Sequence, residues 1–327
     1  MSIGCYPALA YPLNIDHAGK VVVLSNNFDR VRLEGVPAEV ALDVLERLNN
    51  SESPDDDTHC EYRSEFVRVL KQEKLALDRI GASCTGIQLA ALLKETYNDW
   101  NQQLFSGLLW TSLFNGTAED RVVDGWLIES YHFIRGANAR LSYAAAQASD
   151  ERIREIFARH SVEEYNHHEF FAESLRRRGF DPVIVDRVGP LPTTRAVIEM
   201  ARFAARVDCL AYAACSGLLE STGSDVEKGR AFYYAVGQHF DADKTDFVAP
   251  MLKHLELDEA YGHGSVMQDV FQPIPALSID RADRIIQVAH LFKETLELWF
   301  DDISRSYFLR TVDPHALRRD YRFNPAK

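Results

Sequence analysis

No stretch of the 327 residues approaches the roughly 18 consecutive apolar residues that a membrane-spanning helix needs. The N-terminal segment MSIGCYPALAYPLNIDHAGK has neither a basic n-region nor an apolar run of signal-peptide length. Both absences lead to the expectation of a soluble, cytoplasmic protein with no membrane partner. Cysteine is scarce: Cys5, Cys60, Cys84, Cys209 and Cys215 are odd in number and none stands in CxxC spacing. That removes a disulfide framework and a cysteine zinc site, and suits a reducing compartment. Basic charge is also in deficit, with 36 Lys and Arg against 49 Asp and Glu and a net charge of -13. Nucleic-acid binding relies on clustered cations, so a nucleic-acid partner is not expected. The densest basic run is only Arg176, Arg177 and Arg178.

What is present is apolar residue in quantity, 46% of the chain, with 11% aromatic. A chain of this length can then build one large domain, or a medium one with a small companion. The first eighty residues read as the companion. Val21 to Ser25 and Val31 to Glu34 look like strands around the turn-forming Asn26, Asn27 and Asp29. Pro37 opens a helix whose stripe is Val40, Leu42, Val44, Leu45 and Leu48, ending at Asn49 and Asn50. The acidic segment SESPDDDTHCEY reads as a loop, and Phe66, Val67, Leu70, Leu75 and Leu77 mark a second amphipathic helix before the linker GASCTG at 81–86. A hairpin plus two helices predicts a small α/β module of winged-helix type over residues 1–82.

From residue 86 the pattern is helical almost throughout, with candidate helices at 86–106, 122–148, 150–178, 192–221, 226–242, 243–269 and 279–308. The fold class is therefore mainly α: a bundle of about seven helices over 86–312, followed by a tail at 313–327. The 192–221 segment is apolar on more than one face, as a central bundle helix should be. GFDP and VGPLPTT read as loops.

The bundle carries ionisable pairs at helical spacing. Glu164 and His167 are three residues apart in HSVEEYNHHEFFAESLRRRGF, with His160 one turn earlier and His168 adjacent. Glu220 closes the apolar run CLAYAACSGLL. His254 and Asp258 share a face in MLKHLELDEAYGHGS, flanked by Leu252, Leu255 and Leu257. Ionisable groups amid leucines need partners, because an unpaired buried charge costs several kcal/mol or changes protonation state. Metal ligation is one remedy. Glu129 and His132 are also three apart on an apolar helix and read as a mutually satisfied core pair. His239 and Asp243 lie in a charged, solvated stretch. Arg135 or Arg140 is suited to a substrate carboxylate, but about 140° separates them around a helix, so at most one faces a site.

The order Glu164, His167, Glu220, His254, Asp258, together with EEYNHHEFFAESLRRRGF and SGLLESTGSDVEKG, resembles the ligand pattern of the heme-oxygenase-like diiron oxidases and oxygenases over residues 90–310. The resemblance implies a heme-oxygenase-like bundle holding Fe(II)/Fe(III), two ions, with dioxygen as co-substrate. Glu220 would bridge, Glu164 and His167 would hold one ion, and His254 and Asp258 would form the opposite wall. It also implies oxidation of an amine, amino acid or fatty-acid-like substrate. The family's final histidine falls at position 261, which here is Tyr261. His263, Tyr261 as phenolate, His168, His160 or no residue then completes the second site; His263 can reach only if Gly262 breaks the helix. Tyr131, Tyr165, Phe170 and Tyr212 are candidate pocket aromatics.

Residues 10–80 resemble the PqqD-like peptide-recognition modules, which implies delivery of a ribosomal peptide; the alternative is a small packing domain or N-terminal arm, with a small amino-acid-like substrate bound directly in the bundle. A homodimer is expected only because symmetric dimers are common. Two other readings stand beside this one. Bundles of this type include metal-free thiaminase-like hydrolases and quinone-precursor oxidases, for which Cys209 or Cys215 would be the nucleophile. A winged-helix ligand sensor is the other, although the module lacks a basic recognition face.

Overall fold

A computed structural model describes residues 6–9, 14–18, 21–25, 30–49, 60–72, 76–79, 83–220 and 226–308. They fall into two compact units, Met1–Cys84 with Ala276–Asp283, and Thr85–Pro275 with Arg284–Lys327. The tail 313–327 lies outside the described residues.

In chain order the first unit holds β1 (Tyr6–Leu9), β2 (Asn14–Ala18), β3 (Val21–Ser25), β4 (Arg30–Glu34), α1 (Ala38–Asn49), α2 (Cys60–Gln72), β5 (Ala76–Arg79) and β6 (Ser83–Cys84). β2, β3 and β4 form an antiparallel meander with Val21 opposite Glu34, which contains the expected hairpin and adds a strand to it. Alternation along β3 buries Val22 and Leu24, and the helical stripes bury Val40, Val44, Leu45 and Leu48 of α1 and Phe66 and Leu70 of α2 in one core.

Three readings of this region need correction. The second helix does not run on to Leu77: it stops at Gln72, and Ala76–Arg79 pairs antiparallel with β1, so strand pairing overrides the helical propensity of ALDR. Cys60, Glu61 and Tyr62 belong to α2 rather than to the acidic loop, whose residues 51–59 are outside the described set. The expected linker at 81–86 includes β6, paired with β7 (Leu277–Ser278), and Thr85, which caps the next helix.

The second unit is helical. It comprises α3 (Gly86–Phe105), α4 (Leu108–Phe114), α5 (Asp120–Arg135), α6 (Ala137–Gln147), α7 (Glu151–Glu163), α8 (His168–Arg177), α9 (Pro182–Val188), α10 (Pro192–Val207), α11 (Cys209–Glu220), α12 (Val226–Phe240), α13 (Ala249–Tyr261), α14 (Val266–Phe271) and most of α15 (Ile279–Phe308). Local chemistry sets the starts. Thr85 and Gln88 form a reciprocal capping box, Asp150 accepts from the amides of Arg152 and Ile153, and Asp181 with Pro182 opens α9.

Four expected long helices are interrupted. The 122–148 segment breaks at Gly136, where an added Cβ would lie 3.0 Å from the Arg140 guanidinium. The 192–221 segment breaks at Asp208, whose carboxylate accepts from the Leu210 amide instead. The 150–178 segment tightens into a 3-10 turn at Glu164–Asn166. The 243–269 segment starts only at Ala249, because Asp241 accepts from the Thr245 and Asp246 amides, and it breaks again at Gly262. α4 and α9 are short helices absent from the expected set.

α5 is the buried axis, with Val122 through Phe133 all inside. Glu129 does not pair with His132. Its carboxylate accepts from the Tyr307 hydroxyl at 2.7 Å, the Thr194 hydroxyl at 2.5 Å and the Leu191 amide at 3.0 Å, tying α5 to α10 and α15. Among the described residues no helix is long and apolar enough to cross a membrane.

Candidate metal centre

The two helix breaks nearest the sequence motifs shape the site. In a 3-10 turn, residues i and i+3 eclipse, and the turn at Glu164–Asn166 sets His167 Nδ1 2.8 Å from Glu164 Oε1. At the end of α13, Gly262 adopts φ 72°, ψ 30°, a left-handed conformation that glycine enters without Cβ strain. The chain turns there, and His263 swings into the interior at 1% exposure while Tyr261 stays half-exposed. The condition for His263 to reach the site is therefore met.

Glu164, His167, Asp258 and His263 each present a ligand atom within 4.8 Å of one another; His160, Glu220 and His263 form a second such group. His263 Nδ1 lies 3.1 Å from Asp258 Oδ1 and 3.3 Å from Glu164 Oε1, and His167 Nδ1 lies 3.4 Å from the same Asp258 oxygen. His160 Nε2 is 3.8 Å from Glu164 and 3.9 Å from Glu220. The groups are contiguous through Glu164 and His263.

His254 is outside both groups. Its Nδ1 is 3.1 Å from Asp258 Oδ2, so it holds one oxygen of the carboxylate while the other faces His167 and His263. Its ring sits 4.7 Å from that of His167, against Phe170 and Phe171. His168 turns toward Glu169 and Tyr131, and Tyr261 stacks 6.5 Å from the His167 ring without joining a ligand group. Sequence reasoning missed Glu163, whose Oε2 lies 3.3 Å from His263 Nε2. Its signal was the doubled acid of HSVEEY, one turn after His160.

Burial and mutual contact set the charges. Burial opposes ionising Glu164, but contact with His160 and His167 outweighs it and holds the carboxyl far below the usual range. Burial likewise disfavours protonated His167 and His263, yet Glu164 raises the first, and Asp258 with Glu220 pushes the second up to about 9. Burial lowers His254 and raises Glu220.

The donor set fits a metal. Both ring nitrogens of His160 and of His263, His167 Nδ1 and Asp258 Oδ1 are buried without an aligned hydrogen bond, although such groups normally find partners. Nitrogen and carboxylate donors without thiolate suit iron or manganese.

A cavity of about 1350 Å³ opens on this cluster. Its lining includes His160, Glu164, Glu220, His254, Asp258 and His263 at one part and Trp110, Trp126, Phe232 and Phe300 at another. Of the expected pocket aromatics only Tyr212 lines it. Tyr131 is buried elsewhere, Tyr165 is exposed, and Phe170 packs on the His167 and His254 rings. Arg135 pairs with Asp186, whereas Arg140 faces the cavity.

The helical bundle, whose broken helices bring imidazoles and carboxylates to one buried point, is of the heme-oxygenase-like class. The model of the iron-containing redox enzyme family matches residues 124–297, more than half of the chain, and the chain belongs to that family. The fold is shared with a domain of unknown function with a heme oxygenase-like fold from Shewanella denitrificans, at TM-score 0.58 and 16% identity over 68% of this chain and 94% of that one. Weaker likenesses, each at TM-score 0.48, include a TenA homolog from Pseudomonas syringae pv. tomato (12% identity, 62% and 92% covered) and one from P. horikoshii (10%, 66% and 98%). No curated protein matches the chain.

Proposed function

We propose that this protein is a dioxygen-activating oxidase or oxygenase that holds two iron ions and oxidises a small amino-acid-derived or peptide substrate in a biosynthetic pathway. The observation that carries the reading is the pair of contiguous ligand groups, with six buried ring and carboxylate atoms left without aligned hydrogen bonds. His167, Asp258 and His263 would hold one ion, His160 and Glu220 the other, and Glu164 lies within reach of both. Iron bound there supplies a binding place for dioxygen and the electrons to reduce it.

The chain's own residues do the rest. His254 holds one oxygen of Asp258, and Glu163 lies beside the ring of His263, where the outer partner of a metal ligand would sit. Phe171 packs 5.7 Å from the His254 ring, and Phe157 is buried against Tyr212. A cysteine hydrolase on the same bundle finds less support, because burial pushes the Cys215 thiol far up and a thiol held neutral is a poor nucleophile.

The test is a single-turnover measurement. Protein loaded anaerobically with ferrous iron is expected to consume about one dioxygen per pair of irons when mixed with aerated buffer, and Glu164→Gln to lose that consumption. Uptake no faster than that of free ferrous iron in the same buffer would count against the reading.

A further inference from the structure

Arg140 is a cation of the cavity lining that the metal centre does not use. It projects from α6 at 5% exposure. Its Nη1 donates to the Phe133 carbonyl at 2.9 Å, its guanidinium lies 4.4 Å from the Phe133 ring centre, and it touches the hydroxyl of Tyr212. Gly136 leaves the room this requires, since a Cβ there would come within 3.0 Å of Nη1. Among the described residues no carboxylate pairs with it, whereas Lys228, the other fixed cation of the lining, already has a partner. A guanidinium cannot shed its proton, and a buried cation without a counter-charge costs several kcal/mol. Its fork geometry matches a carboxylate, and the donors not spent on Phe133 and Tyr212 are available to one.

The rest of the lining describes the body of that ligand. Trp110 meets Phe300 edge-on at 4.9 Å, Phe232 at 5.6 Å and Trp126 at 6.2 Å. Its indole Nε1 is buried without an acceptor. The volume of about 1350 Å³ exceeds the roughly 300–1,000 Å³ of ordinary small-ligand pockets, so a single small amino acid would leave much of it empty. We infer that Arg140 anchors the carboxylate of an amphipathic organic acid whose apolar body lies along the Trp110, Trp126, Phe232 and Phe300 wall.

The inference rests on the proposed function only in naming this acid the substrate; the anchor itself needs no iron. Calorimetric titration of metal-free and of anaerobic iron-loaded protein with 4-phenylbutyrate, and with 4-phenylbutanamide as its uncharged match, separates the two. The carboxylate is expected to bind at least tenfold more tightly than the amide in both forms. Arg140→Gln is expected to erase that preference while leaving amide affinity and iron content unchanged, and Arg140→Lys to keep part of it. Equal binding of the two probes by wild-type protein, no binding of either at millimolar concentration, or a preference that survives Arg140→Gln would overturn the anchor. The wild-type comparison decides even if a variant fails to fold. Iron failing to load while the preference persists would remove the proposed function and leave the anchor standing.

Discussion

His254 and His263 sit nine residues apart, yet they meet Asp258 from different sides and have different roles in the proposed site. His254 Nδ1 takes Oδ2, whereas His263 Nδ1 faces Oδ1, the oxygen that also faces His167. Removing a ligand and removing a ligand's support should therefore be separable. His263→Ala strips an imidazole common to both groups and is expected to lower iron affinity by more than about 100-fold. His254→Ala leaves Asp258 in place but loosely aimed, with an expected loss of about 10- to 100-fold, the range typical of outer partners. Competition with a chelator of known affinity measures both. Equal losses would mean that His254 binds metal directly. His254 was legible from its regular spacing to Asp258, while His263, with the denser set of contacts, lies past a helix break.

At the scale of elements, the breaks build the site. Gly262 turns α13 aside at φ 72° so that His263 points inward, and the 3-10 turn between α7 and α8 eclipses Glu164 and His167. Gly262→Ala puts a Cβ into the left-handed region, which costs about 1–2 kcal/mol. The expected result is lower stability in urea and weaker iron binding together; a stability loss with unchanged iron affinity would show that the turn does not position His263. Apolar periodicity made α3 and α15 legible, and most of the α1 stripe, although Leu42 of that stripe is exposed. It could not show the break at Asp208, where a side chain captures a backbone amide, nor strand β5, whose partner is seventy residues away in sequence. The candidate ligands were legible as pairs within one helix. Glu163 and the cavity's Trp110 and Phe232 were not, because their roles arise from packing between helices.

At the scale of the whole molecule, buried ionisable groups make stability depend on pH. His132 on α5 is buried, and burial lowers its pKa to about 4, against about 6.5 when exposed. The unfolded chain then binds a proton that the folded chain resists, so stability is full above about pH 6.5 and is lost as the pH falls toward 4. At 1.36 kcal/mol per unit, the effect is on the order of 3 kcal/mol at most. His132→Gln should flatten this part of the denaturation profile, and a slope unchanged between pH 6.5 and 4 would show that other groups cause it. The first unit poses a different question: we propose that it binds a leader peptide. Loss of peptide binding on deleting residues 1–80, with oxidation of a short core substrate retained, is the expected outcome, and unchanged peptide binding would sink it. The central claim is the pair of irons, and iron-edge anomalous diffraction from crystals of the anaerobically loaded protein tests it most directly. Two peaks are predicted, one within about 2.0–2.3 Å of His167, Asp258 and His263 and one at the same distance from His160 and Glu220, by analogy with other transition-metal sites. No peak, or a single peak bonded to residues outside these groups, would contradict it.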